Sequence, residues 1–327
     1  MKAMLVDDKQ NLVWSDVDYP VCNDDTIIIE VEAAALNRAD LLQRVGKYPS
    51  PKGWPEWMGL EVAGTVKEMG ATAKANSEFK IGDKVCALLG GGGYAEYCAV
   101  PYNMVMPIPK GLSMAEASAL PEAYATSYLN LFYEGHLKAG QTIYIAAGAS
   151  GLASVAIPMA KAFGAKVVTS VLSADIAKAI EPLGADIVVD TSKENLEDVF
   201  KALDEAGEPV NVAMDCLCGD TLGKCMQYMA EGGYWVVIST LAGIETNVWL
   251  RPLLTRGLHL VGSMLRKRSV QEKADLLSEL VEKVWPHLES GAIKPSIYKV
   301  LPMSEATLAH GILERGENVG KVVLTLK

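Results

Sequence analysis

Hydrophobic and polar residues follow one pattern in the first third of this 327-residue chain and another in the rest. Up to about residue 120, short β-rich runs are separated by Gly, Pro, Asn and Asp. Such runs predict short strands joined by turns. Because apolar and polar positions alternate only in part, we expect a twisted, barrel-like β domain. The predicted strands are residues 2–6, 26–34, 61–69, 84–87 and 95–100, with one or two helical turns at 41–44.

After Pro121 the chain alternates between apolar runs and segments with helical spacing, which is typical of right-handed βαβ units in a parallel sheet. Continuously apolar strands fit a sheet that is covered on both faces. A closing segment breaks this rhythm and is expected to pack on the first domain. The predicted strands are 142–147, 166–171, 186–190, 210–217, 234–240, 258–262, 299–301 and 321–326, and the predicted helices are 122–134, 174–182, 193–206, 221–229, 271–289 and 304–314.

A glycine turn, residues 148–151 (GASG), stands between the first of these strands and an apolar segment of helical length. This order is the context that a dinucleotide-binding turn requires. Free N–H groups and the helix dipole favour a bound pyrophosphate there. Gly148 permits the tight turn, Gly151 lets the backbone approach the phosphates, and Ala153 takes the place of a third glycine. Pro158 stands inside the predicted helix and lacks the N–H for a helical bond, so we predict a kink or distorted first turns.

Composition narrows the classes of function. The chain has 50% hydrophobic and 21% charged residues and a net charge of −10, which opposes binding to nucleic acid or to an anionic membrane. No stretch approaches the roughly 20 apolar residues that span a bilayer. The first ten residues (MKAMLVDDKQ) carry acids where a signal peptide is apolar. Because the six scattered cysteines are most simply buried thiols, we expect a cytoplasmic protein.

Short motifs occur along nearly the whole chain. They are LNRADLLQR at 36–44, YP at 48–49, GLEVAG at 59–64, GGYAEY at 92–97, LPE at 120–122, GASG at 148–151, GS at 262–263, LR at 265–266 and GKVV at 320–323. With these motifs the chain resembles the zinc-free quinone oxidoreductases of the medium-chain dehydrogenase/reductase superfamily, the zeta-crystallin-like branch.

The resemblance implies an α/β fold in three parts. A GroES-like catalytic domain would occupy residues 1–120, and a Rossmann domain with a doubly wound parallel sheet would occupy 121–264. Residues 265–327 would return to pack on the catalytic domain. A homodimer is also expected, because the apolar strand 258–262 would be an edge that invites pairing with a second copy.

Two positions argue against a catalytic metal. Zinc alcohol dehydrogenases of this superfamily place a cysteine ligand where this chain has Arg38, and a histidine where it has Leu60. They also carry a four-cysteine lobe, whereas residues 69–98 supply two cysteines. A tetrahedral zinc site needs converging thiolate, imidazole or carboxylate ligands. We therefore expect no bound metal.

Without a metal, the hydride acceptor is expected to be an electron-poor conjugated molecule such as a quinone, and the hydride to come from C4 of a reduced nicotinamide. The resemblance assigns catalytic roles to three residues. Asn37 would direct its amide to the nicotinamide ribose or the acceptor. Tyr48 would line the acceptor site and donate a hydrogen bond to a developing oxyanion. Asp40 would orient the loop, with proton supply as an alternative. An ordinary capped helix start is the other interpretation of residues 37–40.

The resemblance also implies a set of cofactor-binding residues. Some have structural alternatives: a helix hydroxyl for Thr126, a plain edge strand around Ser263, and a solvated surface lysine for Lys321. Trp54 and Trp57 are either acceptor lining or loop packing. The cofactor-binding candidates are Asn37, Thr126, Gly148, Ala149, Ser150, Gly151, Leu152, Ser173, Ser263, Leu265 and Lys321.

The end of the second Rossmann strand favours NADPH over NADH. NAD enzymes place an acid there to hold the ribose 2′-OH, and this chain reads TSVLS at 169–173. Ser173 keeps a suitable hydroxyl, with Lys178 and Lys193 as possible cations. NADH stays open, because Ile176 and Thr191 stand where the family has its usual lysine and tyrosine for the phosphate.

The sequence therefore predicts an NADPH-dependent quinone oxidoreductase without metal or flavin. An enal or enone reductase is the alternative among enzymes, because hydride addition to a conjugated carbonyl uses the same geometry. A protein that binds the cofactor without turnover is the alternative outside enzymes.

Overall fold

The computed structural model describes residues 1–326 and divides the chain into two compact units. We call residues 1–125 together with 266–326 the β unit, and residues 126–265 the α/β unit. The predicted boundaries after residues 120 and 264 stay predictions. The strands are β1 (Lys2–Val6), β2 (Leu12–Asp16), β3 (Thr26–Ala35), β4 (Glu61–Met69), β5 (Lys84–Leu88), β6 (Tyr97–Pro101), β7 (Val105–Pro107), β8 (Thr142–Ile145), β9 (Lys166–Val171), β10 (Ile187–Asp190), β11 (Val210–Asp215), β12 (Tyr234–Val237), β13 (His259–Gly262), β14 (Ile297–Pro302) and β15 (Lys321–Thr325).

Helices connect these strands, and serine side chains with a glutamate three residues later cap two of them. Ser113 with Glu116 and Ser269 with Glu272 form capping boxes that satisfy free N–H groups at helix starts. The helices are α1 (Arg38–Arg44), α2 (Ala71–Asn76), α3 (Met114–Ser118), α4 (Pro121–Tyr128), α5 (Ala153–Ala162), α6 (Ala174–Ala179), α7 (Leu196–Glu205), α8 (Asp220–Cys225), α9 (Leu250–Thr255), α10 (Val270–Glu289) and α11 (Ala306–Arg315).

The β unit is built on a seven-stranded sheet in the order β14-β15-β3-β4-β5-β7, with β6 also paired to β3. The long strand β3 supplies much of its core, because Ile27, Ile28 and Ile29 are fully buried. The C-terminal strand β15 pairs antiparallel with the end of β3, and β14 pairs parallel with β15. Residues near both ends of the chain therefore come together in one sheet.

The α/β unit contains six parallel strands in the order β10-β9-β8-β11-β12-β13. The predicted doubly wound parallel sheet is confirmed, and its strand order reverses between β8 and β11. The rings of Tyr144, Phe200 and Trp235 pack against one another in its core. Because all strands run in one direction, the loops that follow them share one edge of the sheet.

Two helices differ from the simplest reading of the sequence. The predicted helix 122–134 is α4 followed by a π-helical turn at Leu129–Glu134. Helix α5 runs without interruption from Ala153 to Ala162 with Pro158 inside it. The predicted kink at Pro158 stays a prediction.

Candidate functional site

The glycine turn of the α/β unit lies between β8 and α5. A Cβ on Gly148 would lie 2.6 Å from the hydroxyl oxygen of Thr169 on β9, so the close approach of the turn to the sheet requires glycine. Ala147 before it has a positive φ of 54°, an uncommon conformation for a residue with a Cβ. The turn is therefore tight and its backbone conformation is strongly constrained.

Backbone donors at this turn fit an anionic ligand. Within residues 1–326, the N–H groups of Ala149, Gly151 and Leu152 have no acceptor. The Ser150 hydroxyl accepts a hydrogen bond at 3.1 Å from the N–H of Ala153, the first residue of α5. Unpaired N–H groups at a helix start, with the positive end of the dipole behind them, are the donors that a pyrophosphate uses. Residues 148–152 thus have the geometry expected of a pyrophosphate site.

Two other candidates of the α/β unit, Ser173 and Ser263, follow strands at the same edge of the sheet. Ser173 follows β9 and caps α6, with its hydroxyl accepting from the N–H of Ile176 at 3.3 Å. Ser263 follows β13, and its buried hydroxyl has no hydrogen-bond partner in the described part of the chain. A buried hydroxyl of this kind is expected to bind a ligand or water. Thr126 lies in α4, and Leu265 is buried at the end of the unit.

In the β unit, Asn37 is held in a buried network. Its amide nitrogen donates to Glu61 Oε1 at 2.9 Å, and its amide oxygen accepts from Lys321 Nζ at 2.7 Å. Lys321 also forms an ion pair with Glu61 at 2.7 Å and donates to the carbonyl of Leu36 at 2.7 Å. The other oxygen of Glu61 accepts from the backbone N–H of Glu122 at 2.8 Å, where α4 begins. Asn37 and Lys321 are therefore in direct contact.

Asp40 orients the same loop from inside. One carboxylate oxygen accepts from the backbone N–H of Asn37 at 2.8 Å and from the hydroxyl of Tyr94 at 3.0 Å. The other oxygen accepts from the N–H of Gly59 at 3.3 Å. Burial raises the pKa of Asp40 to about 6, although these hydrogen bonds oppose the shift. A fully buried carboxyl with three protein donors anchors this segment, and its role in the reaction stays a prediction.

Tyr48 is held by Arg266. The guanidinium carbon lies 4.3 Å from the centre of the Tyr48 ring, which is cation–π geometry. Arg266 also donates to the Tyr48 carbonyl at 3.1 Å, to Gln43 Oε1 at 3.0 Å and to the Gly90 carbonyl at 2.7 Å. One planar cation thus ties the Tyr48 loop to α1 and to the glycine run that follows β5.

Burial, more than the surrounding charges, keeps the Tyr48 hydroxyl protonated. Burial and the charge of Glu122 raise the pKa of Tyr48, while Arg266 opposes the shift. Burial and the charge of Glu61 raise the pKa of Glu122 to about 7, against the influence of Lys321 and Lys273. At neutral pH the Tyr48 hydroxyl is therefore a hydrogen-bond donor.

Comparison with known proteins covers the full chain. Residues 23–110 match the alcohol dehydrogenase GroES-like domain, and residues 151–282 match the family described as zinc-binding dehydrogenase. The quinone oxidoreductase-like protein 2 homolog of Nematostella vectensis is 31% identical and covers 100% of this chain and 87% of its own length. The chain belongs to the zeta-crystallin-like branch of the medium-chain dehydrogenase/reductase superfamily.

Other members of the superfamily show the same likeness. The 2-methylene-furan-3-one reductase of Solanum lycopersicum is 33% identical over 95% of this chain and 74% of its own length. A mycobacterial structure complexed with NADPH has a TM-score of 0.86 and 26% identity, over 99% of each chain. The predicted fold, a GroES-like domain with a Rossmann domain, is confirmed, and the protein is an oxidoreductase of this superfamily.

The positions of zinc ligands in other medium-chain dehydrogenases hold different chemistry here. The Arg38 guanidinium donates to the carbonyl of Leu313 at 2.9 Å, and Leu60 is buried. Across residues 1–326, no group of three or more His, Cys, Asp or Glu side chains could hold a metal ion. The part of the β unit that corresponds to the zinc centre is therefore used for packing and loop anchoring.

Three residues that contact or influence the predicted site received no role from the sequence: Glu61, Glu122 and Arg266. Each lies in a motif that supported the resemblance, but nothing in its local spacing reveals its partner. Trp54 and Trp57, by contrast, were noted in the sequence, and the structure shows their contacts. A Cβ on Gly90 would lie 2.7 Å from the Trp54 ring, and Trp57 donates to the Gly92 carbonyl at 3.1 Å. These contacts are loop packing, and the glycine run is the surface on which Trp54 lies.

Proposed function

We propose that this protein is an NADPH-dependent quinone oxidoreductase that works without metal or flavin. The observation that carries this proposal is the segment of residues 36–48, which comprises α1 and the residues on either side of it. It holds two neutral donors, Asn37 and Tyr48, while Arg38 and Leu60 stand at the positions where zinc dehydrogenases bind their metal. Such a site can bind and orient an acceptor that needs no Lewis acid, which suits an electron-poor quinone.

NADPH supplies the hydride from C4 of its nicotinamide. The unpaired N–H groups of Ala149, Gly151 and Leu152 hold the pyrophosphate, and the buried Ser263 hydroxyl is a partner for a polar group of the cofactor. Because no acid stands at the end of β9 to hold a 2′-OH, the Ser173 hydroxyl donates to the 2′-phosphate of the ribose. Lys178 is exposed in the last turn of α6, the helix that Ser173 caps, whereas Lys193 contacts Asp190 at 3.7 Å. The mycobacterial relative complexed with NADPH supports this cofactor.

The protein's own residues stabilise charge on the acceptor. A quinone that receives a hydride becomes a hydroquinone anion, which then takes one proton. Tyr48 donates a hydrogen bond to the oxygen on which this charge develops, and Arg266 fixes the ring from which the hydroxyl projects. Asn37 binds the nicotinamide ribose or the acceptor through its amide, and Asp40 holds the loop. We keep three further residues as candidates for binding the cofactor: Thr126, Leu265 and Lys321.

An enone reductase is the second candidate, because the tomato relative at 33% identity is named a furanone reductase. The test compares kcat/KM for a benzoquinone and for a 2-alkenal with NADPH and with NADH. We expect the quinone and NADPH to give the higher values. A preference for the alkenal would favour the second candidate, and silence with every acceptor would favour a protein that binds the cofactor without turnover.

Tyr48→Phe tests the proposed donor directly. Loss of the hydroxyl should lower kcat with the quinone by about 10-fold or more, because one preorganised donor to a developing oxyanion has at least this effect. Tyr298→Phe on β14 removes a phenol from an exposed surface and serves as the matched control. Equal activities of the two variants would contradict the role of Tyr48.

We further propose that the protein is a cytoplasmic homodimer. β13 is an edge strand of the parallel sheet, and large exposed apolar residues are concentrated between residues 241 and 260. They include Ile244 at 84% and Leu254 at 81% exposure. An apolar edge of this kind favours pairing with a second copy.

All six cysteines are free thiols, as expected in a reducing compartment. No helix within residues 1–326 is long and apolar enough to cross a membrane.

A further inference from the structure

The ion pair between Lys321 and Glu61 is almost completely shielded from water. The Glu61 side chain is 0% exposed and the Lys321 side chain 4% exposed. Such a pair is costly to desolvate, and apolar residues of similar volume often stabilise a fold equally well. The stability of the β unit therefore does not by itself explain why two charges are buried here.

The hydrogen bonds of this pair converge on one amide. The Lys321 ammonium has three hydrogens, and they are directed to the Leu36 carbonyl, the Asn37 amide oxygen and Glu61. Glu61 Oε1 in turn accepts from the Asn37 amide nitrogen. A direct cofactor contact by Lys321 would require one of these bonds to break.

Only one orientation of the Asn37 amide satisfies both neighbours. Rotated by 180°, the amide would place its NH₂ group against the ammonium and its oxygen against the carboxylate. Both contacts would then be repulsive, in a buried environment where such contacts are expensive. In the observed orientation one amide hydrogen is used by Glu61, and the second is left at a partly exposed residue.

We propose that Lys321 and Glu61 are positioning residues that lock the Asn37 amide in this orientation and so direct its second hydrogen to the bound ligand. This inference rests on the role of Asn37 in the proposed function. The pair links β15 and β4, and the N–H of Glu122 at the start of α4 holds the carboxylate from the other side. Rigid elements thus carry the restraint, as preorganisation of a polar group requires.

The test is a set of variants measured for kcat, KM and thermal stability. Glu61→Gln/Lys321→Met removes both charges with little change of shape, and Asn37→Ala removes the amide. We expect each to lower kcat with a quinone by about 10-fold, and the triple variant to lose no more than Asn37→Ala, since residues acting as one unit are not additive. Lys161→Met/Asp186→Asn removes another ion pair, at 2.8 Å in the α/β unit, and should leave kcat unchanged.

A purely structural pair predicts different results. The double variant would then lower the melting temperature but not kcat, or its losses would multiply with those of Asn37→Ala, and either result would overturn the inference while the proposed function stands. If the wild type reduces no quinone and Asn37→Ala changes nothing, the proposed function fails and the inference with it.

A second measurement observes the Asn37 amide directly and does not depend on turnover. The Asn37 side-chain amide signals in a ¹⁵N–¹H spectrum are assigned by their loss in Asn37→Ala. In the wild type we expect two sharp, well-separated amide protons from one orientation. In Glu61→Gln/Lys321→Met, which removes both charges with little change of shape, the signals should broaden or double as the amide rotates. Unchanged signals would contradict the proposed restraint.

Discussion

At the scale of single residues, His310 is the least satisfied group of the β unit. Its imidazole on α11 is fully buried, and neither ring nitrogen has a hydrogen-bond partner within residues 1–326. Its ring meets that of Tyr94 edge-on, with 6.1 Å between the ring centres. Burial, together with the charge of Arg44, lowers the pKa of His310 to about 4. An unpaired buried polar group of this kind weakens the fold.

His310→Phe should therefore stabilise the protein, and more so in acid. The unfolded chain takes up a proton near pH 6.5, whereas the folded chain does so only near pH 4. The wild type thus loses stability as the pH falls through this window, by up to about 3 kcal/mol, and the variant does not. Urea unfolding at both ends of the window measures the difference. His287→Phe on α10 is the control, and a gain independent of pH would contradict the titration of His310.

Asn37, Asp40 and Tyr48 were identified from local motifs, because residues 36–49 match the family's sequence pattern closely. Their partners could not be found in the same way. Arg266 contacts the Tyr48 carbonyl across 218 positions of sequence, and Lys321 reaches Asn37 across 284. Which buried charges meet is decided by sheet pairing, so the electrostatics of the site had to come from the structure.

At the scale of elements, Pro158 removes one hydrogen bond from α5, yet the helix forms through it. The helix continues through it, although the ring cannot donate to the carbonyl of Ser154. Pro158→Ala restores this bond in an otherwise continuous helix and should raise the free energy of unfolding by about 1 kcal/mol, since proline costs about 3 kcal/mol relative to alanine within a helix and stiffens the unfolded chain.

Pro182 offers a matched control for this measurement. It stands in the first positions of a 3₁₀ turn, where proline lacks no needed bond. Pro182→Ala should therefore leave the melting temperature unchanged or lower it slightly. If Pro158→Ala behaves in the same way, the packing of the proline ring outweighs the missing hydrogen bond.

Strongly patterned elements were predicted close to their observed bounds, and weakly patterned ones were missed. β4 and β9 match the predicted ranges, because each is a long β-rich run with breakers on both sides. β2 and β7 were missed, since β2 alternates poorly and β7 has three residues. The π-helical turn after α4 could not be predicted, because an extra residue in a helical turn leaves no signature in local composition.

At the scale of the whole molecule, the change of hydrophobic period gave the architecture. Alternating strands and helices imply a parallel sheet, so the parallel sheet of the α/β unit was predicted from the pattern, whereas the order of its six strands came from the structure. Pairing of β15 with β3 needs information from opposite ends of the chain. The resemblance supplied the general return of the C-terminal segment, and the structure supplied the register.

The exposed apolar segment between residues 241 and 260 makes the assembly testable. Leu254→Glu places a charge on α9, and we expect it to convert the proposed dimer to a monomer, because an unpaired buried charge opposes association. Light scattering should give twice the 35.0 kDa chain mass for the wild type and the single mass for the variant. Leu308→Glu, at an exposed apolar position of α11, should leave the dimer intact. A monomeric wild type would show that this surface is not a dimer interface, and dissociation by both variants would indicate a general loss of folding rather than a specific contact.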